Sequence, residues 1–282
     1  MMSFNLKGTV AVVTGASRGV GRGIALGLCA SGAAVHITGR TKIEGQSIEA
    51  HLAGSLQHTA DECNASGGKC FLHVCDHQDD AQTRHVFEEI LDRDHQIDVL
   101  ANSVWGGYEA MVDEQGKFTW MLPFWQQPVS RWDRMFGAGL RARYIAAQEA
   151  ARHMVSRRRG LIVNISSWAA QKYVGNTAYG VATAAIDRMT RDMAHELREH
   201  NVAVVSLYPG LVRTERVLAA QFFDLSNSES PQFLGLTVAA LASDPNIMRR
   251  SGSVIIAAEV AREFGFTDID GKQPVPLTLA TV

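Results

Sequence analysis

Short apolar runs recur along the chain, at 9–14, 34–38, 69–75, 98–102, 160–166, 202–207 and 253–257. Several are apolar without alternation, as in TVAVVT, LIVNIS and VAVVSL. A strand buried on one face alternates with period two. An unbroken run therefore predicts a strand covered on both faces, as in a parallel sheet clad with helices. Between the runs the period lengthens. Val20, Ile24 and Leu28 stand four apart and share one helix face. Ile186, Met189, Met193 and Leu197 do the same, with Arg188, Arg191, Asp192 and Glu196 between them. This alternation predicts a single doubly wound α/β domain, with a seven-stranded parallel sheet and helices on both faces. No internal repeat, low-complexity tract or linker divides it.

Two segments break the rhythm. The first, 105–131, is a long insert between the fourth strand and the next helix. It carries Trp105, Tyr108, Phe118, Trp120, Phe124 and Trp125, with Pro123 and Pro128. The second, 214–232, lies between the sixth strand and the last helix and contains SNSESPQ. Both fall at carboxyl ends of strands, where open α/β sheets bind ligands. The aromatic insert reads either as a substrate cover, selecting a bulky apolar molecule, or as core and oligomer contact. The first reading is preferred.

Composition narrows the class. The 282 residues carry 27 Lys and Arg against 29 Asp and Glu, a net charge of −2. With 46% apolar and 20% charged residues the composition excludes disorder, and the near-neutral balance argues against a nucleic-acid partner. No run of about 18 apolar residues spans a bilayer, and no secretory signal opens the chain. Four cysteines, Cys29, Cys63, Cys70 and Cys75, read as reduced thiols. A cytoplasmic protein is expected. Cys70, His73, Cys75 and His77 suggest a metal cluster, but no second ligand pair follows at zinc spacing. They read as residues of a buried strand and its end, with no metal. Arg157, Arg158 and Arg159 read as a solvated turn.

The most informative local pattern is TGASRGVG at 14–21, directly after the first strand and opening a helix. Glycines let backbone approach a pyrophosphate, and the helix N-terminus offers it free N–H groups. A tight turn without a ligand is the plainer alternative.

This loop resembles the TGxxxGxG cofactor loop of the short-chain dehydrogenase/reductase family. The resemblance continues through Asp76 after the third strand and Asn102 ending the fourth. NISS at 164–167, Tyr179 opening a helix and PGLVRT at 209–214 extend it. The tail, LASDPNIMRRSG then EFGFTDIDGK, is similar to one subgroup of that family. The resemblance implies a Rossmann fold and NAD(P)-linked redox chemistry on a small-molecule carbonyl or secondary alcohol. It implies cofactor contacts at Gly15, Ser17, Arg18, Gly19, Gly21, Asp76, Asn102, Tyr179, Thr183, Val212 and Thr214. It also suggests a homodimer or homotetramer through the helices near 140–155 and 179–197.

An NAD enzyme places a carboxylate at the end of the second strand. Here Gly39 and then Arg40 stand there. Arg18 and Arg40 suit a 2′-phosphate, so NADP(H) is preferred and NAD(H) remains open. Solvated surface arginines are the plainer reading.

For catalysis the resemblance implies Tyr179 as acid/base and Ser167 as the group holding the carbonyl oxygen, with Ser166 as the alternative. Two positions depart from the family. Thr183 stands where a Lys belongs one turn after the Tyr, and Gly139 replaces an Asn. Thr183 can hydrogen-bond a ribose but carries no charge. Lys172 and Arg143 are candidate substitutes that the sequence does not place. The expectation is an NADP(H)-dependent oxidoreductase, weakened by these changes. The rival is an NADP(H)-binding protein without catalysis, serving as sensor or interaction partner.

Overall fold

The computed structural model describes residues 4–45, 53–108, 111, 118–221 and 223–282. The apolar runs form β1 (Val10–Thr14), β2 (Ala34–Gly39), β3 (Lys69–Val74), β4 (Val99–Asn102), β5 (Gly160–Ile165), β6 (Val202–Tyr208) and β7 (Val254–Ile256). They make one sheet in the order β3-β2-β1-β4-β5-β6-β7, with every pair parallel. The order reverses between β1 and β4, so a crevice opens at their carboxyl ends. Thr14 faces Asn102 there, and Asn102 faces Asn164 on β5.

Helices cover both faces. They are α1 (Gly19–Ala30), α2 (Leu56–Ala65), α3 (Asp80–Asp94), α4 (Val129–Arg134), α5 (Ala142–Arg157), α6 (Thr177–Leu197), α7 (Glu215–Ala220), α8 (Pro231–Ser243) and α9 (Ala257–Phe264). Val13, Ile24, Leu28, Val163, Val205 and Phe233 belong to the core on one face of the sheet. Val12, Phe87, Ile90, Leu100, Ile162 and Val204 belong to the core on the other. On the first face, α1 and α8 touch backbone to backbone. A Cβ on Gly23 would lie 1.9 Å from the Pro231 carbonyl oxygen, and one on Gly27 2.3 Å from the carbonyl carbon of Gly235.

Three sequence expectations change. β3 is the edge of the sheet, not a buried strand, and Val74 is exposed. Both its faces are partly covered: Cys70 and Leu72 pack on the core, while Phe71 and His73 meet His36, Arg93 and Glu89. The helix after 214–232 is not the last, because α9 follows β7 and buries Ala257, Ala258, Val260 and Ala261. The 105–131 insert is not loop throughout. It includes a short 3₁₀ turn at Phe124–Gln126 and the start of α4, while 109–110 and 112–117 lie outside the described residues. Among the described residues no helix is long and apolar enough to cross a membrane.

Candidate active site

The glycine loop turns because two residues adopt left-handed backbone, Gly15 at φ +70° and Gly19 at φ +56°. Gly15 lies against the chain leaving β4, where a Cβ would come 2.7 Å from the Val104 Cα. Arg18 precedes α1 without a side-chain cap. The helix therefore presents N–H groups to the crevice. One already holds an anion: the Glu215 carboxylate, from α7, accepts from the Gly19 amide at 2.9 Å. An N-terminus that binds this carboxylate has the chemistry to bind a pyrophosphate.

These groups open into a cavity of about 960 Å³ at the carboxyl ends of the strands. From the first half of the chain, Gly15, Ser17, Arg18, Gly19, Gly21, Arg40 and Asp76 line it. Arg18 donates to the Gly54 carbonyl at 3.0 Å, and exposed Arg40 follows Gly39 at the end of β2. From the second half come Ser167, Tyr179, Thr183, Val212 and Thr214. Asn102 is not in the lining. Fully buried, it accepts from Thr14 Oγ1 at 3.4 Å and donates to Asn164 Oδ1 at 3.0 Å, tying β1, β4 and β5 together.

The two serines after β5 differ. Ser166 is buried and donates to the Thr183 carbonyl on α6 at 3.4 Å. Ser167 caps a 3₁₀ turn by accepting from the Ala169 amide at 3.2 Å, which leaves its O–H to donate elsewhere. Tyr179 enters on the first turn of α6, capped by Asn176, which accepts from the Tyr179 amide at 3.1 Å. Its hydroxyl accepts from the Tyr108 hydroxyl at 3.2 Å. Burial, together with the neighbouring Tyr179, pushes the Tyr108 phenol well above its usual value, so Tyr108 remains a donor. Thr183 Oγ1 donates back to the carbonyls of Tyr179, at 2.8 Å, and Gly180, at 3.1 Å.

Aromatic rings enclose this end of the cavity. Trp105, Tyr108 and Trp120 lie 5.6, 6.1 and 5.4 Å from the Tyr179 ring. The rest of the insert differs, with Phe124 67% and Trp125 71% exposed. Gly139 lies in a π-helical turn, Met135–Arg141, between α4 and α5. A Cβ there would come 2.6 Å from the Trp105 ring, so indole fills the place of the expected Asn side chain.

The two candidate cations separate. Lys172 is exposed and donates to the Leu279 carbonyl, at 3.4 Å, and to a main-chain oxygen of Val282. Arg143 is buried, lines the cavity and donates to the carbonyls of Val104 and Ile165. The sequence lacked the long-range contact that selects between them. It also missed Tyr108 as a partner of Tyr179, and Glu215 at α1.

The four suspected metal ligands go to different partners. His73 bonds His36 and Glu89. His77 bonds Thr38 and Thr83, while Cys75 Sγ also approaches Thr83. Cys70 instead joins Cys29 and Cys63 in a buried trio, their sulfurs within 4.8 Å of one another. No short spacing announces that trio, because α1, α2 and β3 each supply one member.

Comparison with known proteins agrees with this geometry. Residues 9–221 match the family model described as short chain dehydrogenase. The mouse protein named dehydrogenase/reductase SDR family member 1 is 42% identical, over 95% of this chain and 85% of that protein. Its human counterpart is 40% identical over 96% and 86%. A metagenomic short-chain oxidoreductase, solved in complex with NADP, is 28% identical. It superposes with a TM-score of 0.68 over 89% of this chain and 96% of that one.

Proposed function

Because this chain belongs to the short-chain dehydrogenase/reductase family, whose members are oxidoreductases, we propose that it interconverts a carbonyl and a secondary alcohol on an apolar small molecule with NADP(H). The observation that carries the proposal is the convergence of Tyr179, Ser167 and the glycine loop on one cavity.

Gly15, Ser17, Gly19 and Gly21 cradle the pyrophosphate at the N-terminus of α1, and Asp76 contacts the adenine. Arg18 and Arg40, with Gly39 in place of a carboxylate, hold the 2′-phosphate. The NADP complex of the metagenomic relative supports that preference. Val212 and Thr214 hold the carboxamide, Thr183 faces the ribose, and Asn102 keeps β1 and β4 in register beneath it. A nicotinamide bound there would supply or accept the hydride. Ser167 donates its O–H to the carbonyl oxygen, and Tyr179 Oη gives that oxygen its proton or takes it back. Trp105 and Trp120 keep water from the reacting oxygen and favour an apolar substrate. The same reading makes the protein a cytoplasmic dimer or tetramer, with exposed Tyr144 of α5 and Val181 of α6 in the contact.

The test is a tryptophan-fluorescence titration with NADPH and NADH, coupled to NADPH consumption over a panel of bulky ketones. NADPH binds more tightly by about 2 kcal/mol, Arg40→Asp swings the preference toward NADH, and Tyr179→Phe abolishes turnover with NADPH affinity intact. Equal affinities sink the NADP preference. Tight NADPH binding with no turnover favours the binding-protein rival.

A further inference from the structure

We propose that Arg143 supplies the positive charge that Thr183 does not, acting through the Tyr179 hydroxyl as a positioning residue. The inference rests on the reading of Tyr179 as the proton-transfer group.

Arg143 sits on the first turn of α5, four residues beyond Gly139. Its side chain reaches between the carboxyl ends of β4 and β5. Nε and Nη2 donate to the Val104 carbonyl at 3.3 and 3.1 Å, and Nη1 donates to the Ile165 carbonyl. The residue is 2% exposed, and among the described residues it pairs with no carboxylate. A buried guanidinium held only by neutral carbonyls is expensive. Tying two strand ends together needs donors, which a neutral amide also has. The retained charge calls for a negative partner, and a phenolate formed during proton transfer is one.

The surroundings supply that partner. Burial pushes the Arg143 guanidinium down to about 10, while Tyr179 and Tyr108 act on it in the opposite sense. Of the two phenols, Tyr108 is the donor and Tyr179 Oη the acceptor. Negative charge on Tyr179 Oη would therefore meet a phenol O–H and the field of a buried cation. Trp105 links the arrangement. Its ring lies 5.8 Å from the Arg143 guanidinium carbon and edge-on to Tyr179, in space that Gly139 leaves open. The two departures from the family thus belong to one rebuilt corner.

Other charged groups stand around it. Arg216 on α7 acts on Tyr108, and Glu215 beside it holds the Gly19 amide. Arg131 on α4 lies over Trp120 at 5.7 Å. Asp187, two turns along α6, accepts from Tyr208 of β6. Arg143 differs from these in bridging the ends of β4 and β5.

The test is an ultraviolet titration of phenolate absorbance, with Tyr179→Phe subtracted to isolate the Tyr179 step. It needs neither substrate nor turnover, so it stands apart from the ketone panel. Arg143→Gln keeps donors for the carbonyls and removes the charge. The Tyr179 step then moves to higher pH by about one unit or more. Arg143→Lys keeps it near the wild-type position, and Thr183→Lys added to Arg143→Gln brings it back. Should Arg143→Gln fail to fold, Arg143→His, neutral in alkaline solution, makes the same comparison. A step unmoved by loss of the charge, in a protein that still binds NADPH, overturns the proposal.

Discussion

The two halves of the molecule on either side of the β1–β4 crevice obey different rules. In the first, from β1 to α3, the turn at the crevice is set by backbone, with Arg18 and Arg40 beside it. Gly15 and Gly19 bend the loop and Gly21 packs beneath it, where a Cβ would come 2.3 Å from the Gly15 carbonyl oxygen. In the second, from β4 onward, the crevice is shaped by side chains. There the expected Asn and Lys are gone, and Trp105 and Arg143 occupy the corner instead. A backbone path has few substitutes, so it appears as a fixed motif. A charge or a filled volume can come from any neighbouring element, so it need not appear at its usual position.

The sharpest test compares two glycines. In Gly23→Ala the new methyl meets Pro231 backbone at 1.9 Å. Neither α1 nor α8 can yield without separating, so urea denaturation should show a loss of about 3 kcal/mol or more. In Gly139→Ala the clash at 2.6 Å is with the Trp105 ring, which can rotate. That change should cost about 1 kcal/mol and disturb turnover more than folding. Equal costs would erase the distinction between the halves.

A second test uses pH, because each half buries a titratable group of opposite sense. Burial pushes His77, between Thr38 and Thr83, down to about 4. The stability it contributes is complete above about 6.5 and is lost as pH falls toward 4. Burial pushes Glu229 up to about 7, against the Gly210 amide that donates to it at 2.9 Å. Its contribution is complete below about 4.5 and is lost as pH rises through 7. Each is worth roughly 3 kcal/mol at its limit. Glu229→Gln should therefore abolish a loss between pH 5 and 8, read from urea midpoints, while His77→Asn should flatten the acid side. An unchanged alkaline limb in Glu229→Gln would reject this account.

The insert offers a third comparison within the second half. Trp120 is 8% exposed and rests on Tyr179, whereas Trp125 is 71% exposed. Trp120→Ala should lower kcat/KM about tenfold, about 1.4 kcal/mol, with NADPH affinity unchanged. Trp125→Ala should leave kinetics alone and alter, at most, elution on a sizing column. The reverse pattern would make the insert an interface rather than a cover.

Legibility in the sequence follows the same division. Unbroken runs such as VAVVSL announced the parallel sheet because β6 is buried along its whole length. The glycine loop announced itself because its residues are contiguous and opened α1. The apolar run at β3 misled, since an edge strand partly covered on both faces can be as apolar as a central one. Tyr179 and Ser167 were named from the family resemblance and line one cavity, but the side chains around them could not be named from the sequence. Arg143 reaches Val104 and Ile165, 39 and 22 residues away, through a fold that the local pattern does not encode. The cysteine trio stayed hidden for the same reason.

The smallest expected effect lies where the halves meet. Glu215, from the first turn of α7, places its carboxylate on the Gly19 amide, the group that in the proposed function meets a pyrophosphate. The two anions compete for one donor and repel each other, so cofactor entry requires the carboxylate to leave. Leaving costs a charge-assisted hydrogen bond at a helix N-terminus, about 1 kcal/mol. Glu215→Gln keeps the side-chain volume and an accepting oxygen but weakens that bond and removes the repulsion. NADPH should then bind about fivefold more tightly, the equivalent of about 1 kcal/mol, with little change in fold stability. The gain should shrink at high salt, where the repulsive part is screened. Fluorescence titration of wild type and Glu215→Gln at two salt concentrations measures both effects. Weaker binding in the variant would mean that Glu215 moves to hold the cofactor rather than to make way for it, and the second half would then contribute to the nucleotide site instead of guarding it.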